Sequence, residues 1–248
     1  MNNSLYEIFE DLIYSFDDEP ELENFKEEFN KFISKGGKID HHNEKSTTLL
    51  VKSILSNNID IFSFLLESGS NINIICKNKT AIFYACQVGN TEMINILLEN
   101  SKCNIYQIIE ENNIFHSLSF AADINNFNLI KENFIRDKKN YMKYLDQPNH
   151  RDFTPLFYAI LSLSFNYKNK NLKLQEMNEI EEKTYDFIIN LIDQGVDISY
   201  RPMEGLRYFD LIGYNDQSEY FKIFTYKLAK YFIKEKNIDV NDYTSKDD

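Results

Sequence analysis

"NHRDFTPLFYAI", residues 149–160, is the stretch on which the fold turns. Thr154 suits a helix N-cap, because its hydroxyl can accept an orphan amide hydrogen of the first turn. Pro155 then takes the first helical position, where its missing N–H costs nothing and its fixed φ matches the helix. Asn149 to Asp152, just before, form a turn signal. The order is turn, cap, short buried helix, and its meaning depends on whether the unit recurs.

It does. "NKTAIFYACQVGNTEMINILLEN" (78–100) begins with Thr80, Ile82, Phe83 and Ala85 and continues through Gly89 and Asn90 to Leu97 and Leu98. "STTLLVKSILSNNIDIFSFLLESGSNIN" (46–73) aligns with it without gaps: Thr48, Ile61 and Leu66 each fall 32 residues before Thr80, Met93 and Leu98. "FISKGGKID" (32–40) matches "LLESGSNIN" (65–73) at a shift of 33. A spacing of about 33 residues, each holding a turn and two short helices, is the ankyrin period.

The chain resembles the ankyrin repeat family at the residues that carry this pattern. Thr154 to Ala159 is similar to the T-P-L-H-x-A opening, with Phe157 where His is usual. Leu65-Leu66-Glu67-Ser68-Gly69 and Leu191-Ile192-Asp193-Gln194-Gly195 resemble the L-L-x-x-G ending. Asn71-Ile72-Asn73 and Val196-Asp197-Ile198 resemble the lead into the next turn. The resemblance implies an all-α solenoid of about six helix-turn-helix units, favoured over another helical-pair solenoid by the pairing of opening and ending. The whole chain, 1–248, is then one repeat domain. Residues 1–35 form an N-terminal cap unit, 36–68, 69–101 and 102–137 are repeats, and 138–195 is a repeat interrupted at 163–183. Residues 196–235 form a C-terminal cap unit, followed by a charged tail, 236–248.

In the third repeat, His116 is aligned with the Thr position, which puts about three extra residues in "IYQIIEENN" and makes Ala121 the counterpart of Ser53, Ala85 and Ala159. Asn57, Gly89 and Asn125 are placed where the chain turns with positive φ, a conformation Gly adopts freely and Asn tolerates. The insertion "SFNYKNKNLKLQEMNEIEEKT" either lengthens both helices of its repeat or forms a solvated loop. At the N-terminus, Leu5, Ile8, Phe9, Leu12 and Ile13 share one helical face, as do Phe25, Phe29, Phe32 and Ile33 on a second helix. "YFKIFTYKLAKYFI" (220–233) is a matching amphipathic helix at the other end. End units of this kind hide a solenoid's open core from water.

Composition narrows the function. The 39 acids against 27 bases leave a net charge of −12, which opposes nucleic-acid backbones and favours a basic protein partner. No apolar run approaches a membrane span, and the N-terminus lacks the basic segment of a signal peptide. Cys76, Cys86 and Cys103 are few and not in C-x-x-C spacing, which fits reduced thiols in the cytoplasm. His41, His42, His116 and His150 follow no metal-ligand spacing, and no phosphate-binding glycine loop or nucleophile motif occurs. The nearest to a phosphate loop is "SKGGK" (34–38), but its Gly36 falls on the L-L-x-x-G position. No catalytic residue, cofactor, metal or small-molecule substrate is expected.

What the resemblance implies is a protein-binding concave face, built from turn tips and first helices. The tip positions are Glu44, Lys45 and Thr47; Cys76, Lys77 and Lys79; Asn112, Asn113 and Phe115; His150, Arg151 and Phe153. The exposed first-helix pairs are Leu55-Ser56, Gln87-Val88, Asp123-Ile124 and Leu161-Ser162. Phe115, Arg151 and Phe153 are the anchor candidates, since aromatics and Arg dominate binding hot spots; each Phe alternatively packs under its own turn. Three classes of function follow. The first is a non-catalytic interaction module, the second a dedicated acidic inhibitor of a basic toxin or enzyme, and the third an enzyme with chemistry in the insertion, which no motif favours.

Overall fold

The computed structural model describes residues 5–134, 138–167, 173–198, 200, 226–228, 230–231 and 234. Among them are eleven α-helices and one 3-10 turn, with a single isolated β-bridge between Cys76 and Lys79. The chain is all-α and divides into two compact units, Met1–Ile109 and Glu110–Asp248.

The first unit opens with α1 (Leu5–Ser15), a 3-10 turn (Phe16–Asp18) and α2 (Leu22–Ser34). Ile8, Phe9, Leu12 and Ile13 are buried on α1 and Phe25, Phe29 and Phe32 on α2, as their spacing predicts. Ile33 departs from that expectation and is 38% exposed, because it stands one residue, or about 100° of helix, beyond Phe32. The two helices meet through aromatic rings: Phe9 lies 5.4 Å from Phe32, and Phe16 lies 5.4 Å from Phe25.

Two repeats follow, α3 (Leu49–Leu55) with α4 (Ile59–Glu67), and α5 (Ala81–Val88) with α6 (Thr91–Glu99). Helices this short are not stable alone, so packing and end-capping must hold them. Thr48 caps α3 by accepting from the Val51 amide at 3.3 Å, and Thr80 takes the same place before α5. Asn58 and Asn90 cap the second helices, accepting from Ile61 and Met93. Between the helices of each pair one residue turns left-handed, Asn57 at φ 54° and Gly89 at φ 79°. α3 packs on α5, and Ser53 and Ala85, the small residues at the shared position, are fully buried. Neighbouring loops are also tied: Asp40 accepts from the Asn71 amide at 3.0 Å, and Asn73 accepts from the Asn104 amide at 2.9 Å.

The second unit holds α7 (Ile114–Ala121), α8 (Ile124–Phe134), α9 (Lys138–Asp146), α10 (Pro155–Tyr167) and α11 (Leu174–Gln194). Its third repeat corrects the alignment made from sequence. The N-cap of α7 is Asn113, with its side chain accepting from the Phe115 amide at 2.9 Å, and not His116. Asn113-Ile114-Phe115-His116 is therefore the T-P-L-H counterpart, and Thr48, Thr80 and Asn113 recur at 32 and 33 residues with nothing inserted in "IYQIIEENN". The left-handed residue is Ala122, at φ 50°, and not Asn125, which lies inside α8. Leu118, not Ala121, takes the position of Ser53 and Ala85. The surplus comes later, because Asn113 to Thr154 is 41 residues and α9 occupies the excess.

α7 packs on α10, and α10 on α11. The 163–183 insertion lengthens both helices of the fourth repeat: 163–167 belong to α10 and 174–183 to α11, while 168–172 lie outside the described residues. α11 ends at Gly195, φ 95°, on the L-L-x-x-G position. Of the C-terminal cap unit only 196–198, 200 and a few residues of 226–234 are described; there Leu228 is buried and Lys227 pairs with Glu181 at 3.6 Å. The charged tail lies outside the described residues.

His116 holds two segments of this unit together. Its Nδ1 accepts from the Asn113 amide at 3.1 Å, so its Nε2–H donates to the Phe153 carbonyl at 3.0 Å. The ring is 2% exposed, and burial lowers its pKa from 6.5 to about 4.

Two predictions follow from this packing. A Cβ on Gly37 would lie 2.5 Å from the ring of the buried Phe32, whereas Gly69, at φ 95°, has nothing within 4 Å. Gly37→Ala should therefore cost more than Gly69→Ala, about 2–3 kcal/mol against about 1 kcal/mol, in urea unfolding; equal costs would show that the Phe32 ring moves aside freely. For His116, the folded protein keeps the ring neutral while the unfolded chain protonates it below pH 6.5. Its contribution is intact at pH 7 and is lost as pH falls from 6.5 toward 4, on the order of 3 kcal/mol in all. The stability gap between wild type and His116→Gln should narrow over that range, and a gap that stays constant would contradict a buried neutral ring.

Candidate functional site

The turn tips come in two constructions. In the first unit, Asn43 accepts through its side chain from the Lys45 amide at 3.0 Å and the Thr47 amide at 2.9 Å, with Ser46 left-handed at φ 54°. This holds Glu44 and Lys45 exposed and Thr47 half-buried. The next tip is tighter. Cys76 and Lys79 exchange backbone hydrogen bonds at 2.9 and 3.0 Å, and both residues between them are left-handed, Lys77 at φ 44° and Asn78 at φ 62°. Positive φ at both central positions is the requirement of a type I′ turn, met here without glycine.

This turn exposes Lys77 and turns Cys76 inward, so the expectation of Cys76 as a variable surface position is corrected: it is 1% exposed. Its thiol lies 3.7 Å from Thr48 Oγ1 and 4.0 Å from His42 Nδ1, and the Tyr84 hydroxyl donates to its carbonyl at 2.9 Å. Burial raises the thiol pKa, which favours the protonated sulfur beside the histidine. Lys79 folds back along α5. Its ammonium sits 5.6 Å over the Tyr84 ring and donates to the Gln87 side chain, and burial lowers its pKa. Lys79, Tyr84 and Gln87 therefore line one strip of the first helix, which Val88 extends at 40% exposure. Leu55, 50% exposed, stands at the corresponding end of α3.

In the second unit Glu110 and Glu111 are left-handed, at φ 49° and 62°, and exposed. Asn112 is half-buried and accepts from the Asn149 side chain at 2.8 Å. Asn113 and Phe115 are corrections, since both are fully buried. Asn113 is spent on capping α7 and donates to the Tyr144 carbonyl at 2.7 Å. Phe115 sits among Phe127, Phe134 and Tyr141 at 5.6, 5.1 and 5.6 Å. In the corrected register it matches Leu50, Ile82 and Leu156, all buried. Asp123 is not on the first helix; it caps α8, accepting from the Asn125 and Asn126 amides at 3.0 and 3.1 Å. Ser162, expected at the surface, is buried and donates to the Ala159 carbonyl at 2.8 Å.

The fourth-repeat tip repeats the Asn43 construction. Asn149 accepts from the Arg151 amide at 2.9 Å and the Phe153 amide at 3.1 Å, with Asp152 left-handed at φ 66°. His150 lies with Nδ1 3.0 Å from the Glu110 carbonyl, and Arg151 is exposed. Phe153 is half-buried, its ring 4.1 Å from Phe157. Among the described residues no three His, Cys, Asp or Glu side chains are grouped to hold a metal ion, and no helix is long and apolar enough to cross a membrane.

Sequence reasoning missed Lys52, Tyr84 and Ile75. Lys52 precedes Leu55 by three residues and Tyr84 precedes Gln87 by three, so the helical period would have placed each on the same strip.

Comparison with curated proteins finds no match to the chain. Residues 22–108 match the family described as ankyrin repeats, in three copies, and that span runs from α2 through α6 within the first unit. Ankyrin repeats indicate a protein–protein interaction module. The N-cap residue, left-handed turn and second cap that recur from Thr48, Thr80 and Asn113 accompany this match, and the chain carries ankyrin repeats over residues 22–108.

Proposed function

We propose that the protein is a non-catalytic interaction module that binds a protein partner through its turn tips and first helices. One observation carries this reading. In the two repeats spanning 36–101, the large apolar side chains left exposed are Leu55, Ile75 and Val88, at 50, 46 and 40%. All three lie on a first helix or at the edge of a tip, and the second helices α4 and α6 expose none. Apolar groups collected on one side of a repeat, with no packing duty there, are what a partner would cover. The tips suit the role because their backbones are fixed by internal hydrogen bonds, so little ordering is lost on binding.

The same reading extends to Arg151 and Phe153 in the second unit, the first exposed and the second presented on Phe157. Phe115 and Asn113 drop out as contacts because they are buried. A composition with three cysteines in 248 residues supports a cytoplasmic setting.

Site-specific photocrosslinking tests the proposal. A benzoylphenylalanine at position 88 or 151 should give a discrete protein adduct in native lysate, and the same group at Glu92, exposed on α6, should give none. Adducts from position 92 alone would move the contact surface to the second helices.

A further inference from the structure

Charge in the two repeats of the first unit is sorted by side. The tips and first helices, 43–56 and 75–89, carry Lys45, Lys52, Lys77 and Lys79 against the single acid Glu44. The second helices α4 and α6 carry Asp60, Glu67, Glu92 and Glu99 and no base. The tips and first helices thus hold four lysines against Glu44, with Asp17 and Asp40 as the acids beside them, on the side that also exposes Leu55, Ile75 and Val88, in a chain whose overall charge is −12.

We propose that this side of the first unit binds an acidic peptide segment carrying aliphatic side chains, an inference that rests on reading the tips and first helices as the contact surface. The cations differ in availability. Lys52 is already paired with Asp17 at 2.7 Å, whereas Lys45, Lys77 and Lys79 make no ion pair among the described residues. Of the nearby acids, Asp40 accepts from the Asn71 amide at 3.0 and 3.2 Å, and Glu44 is the acid within the tips themselves. Lys79 is the strongest element. Tyr84 and Gln87 hold its ammonium in place and strip part of its water, so a carboxylate arriving there meets a preformed, partly desolvated charge.

The overall negative charge does not override this. Charges more than about 8 Å away are largely screened at physiological salt, and the acids of α4 and α6 stand on the second helix of each pair. A nucleic acid fits the same lysines less well. Tyr84, the aromatic of this strip, is only 7% exposed beneath Lys79, leaving no free ring for base stacking. Leu55, Ile75 and Val88 instead suit aliphatic side chains of a peptide.

The test is selection of a displayed random 12-residue peptide library on the full chain, on Lys77→Glu/Lys79→Glu and on Leu55→Arg/Val88→Arg, each checked for an unchanged thermal midpoint. The expected result is enrichment of peptides rich in Asp or Glu with Leu, Ile or Val. Their consensus should bind the lysine variant about tenfold more weakly, while its charge-reversed counterpart should prefer that variant. Enrichment of basic or uncharged peptides that are lost in Leu55→Arg/Val88→Arg would overturn the acidic partner and leave the contact surface standing. Peptides that bind all three proteins equally, or no enrichment on the wild type, would overturn both. Binding of a uridine oligonucleotide that competes with the selected peptide at comparable affinity would also overturn the proposal, in favour of a nucleic acid.

Discussion

Each repeat depends on a constraint of length. α3, α5 and α7 are 7 or 8 residues long, too short to persist without help at both ends. The chain answers with three devices at fixed offsets: an N-cap residue before the first helix, a left-handed residue nine positions later, and a second cap immediately after it. Thr48, Asn57 and Asn58 fill these places, then Thr80, Gly89 and Asn90, then Asn113, Ala122 and Asp123. Once they are set, helix length, turn direction and packing face are all determined, and the tips are left to vary.

That division explains what could be read from sequence. The first two repeats were legible because Thr48 and Thr80, Ile61 and Met93, and Leu66 and Leu98 preserve residue type as well as spacing. The third was misaligned by three residues because Asn113 caps as well as a Thr does, while His116 and Ala121 imitated a cap and a small packing residue in the wrong register. A slip of three nearly preserves a helical face, so periodicity did not object. It nevertheless turned Phe115, Asn113 and Asp123 into surface candidates when each has a structural duty. α9 was invisible because its extra residues repeat nothing else in the chain.

The tips outside the third repeat were legible in position but not in detail. Asn43 and Asn149 each organise a five-residue tip from within, whereas Cys76 and Lys79 close a two-residue turn on Lys77 and Asn78. The inward turn of Cys76 follows from that tighter closure, and nothing in the composition of the segment announces it. Charge misled in a different way: the total of −12 describes the whole surface, while a partner meets one side of it.

α9 has a further bearing on how this chain can vary. Its Tyr141 ring completes the set around Phe115, and its Asp146 accepts from the Asp197 amide at 2.8 Å beyond α11. The eight or so residues that break the period are thus structural members of the second unit. Shortening the chain there to recover an even 33-residue spacing would uncover Phe115 and unhook the segment after α11. The irregular repeat is fixed in length from inside.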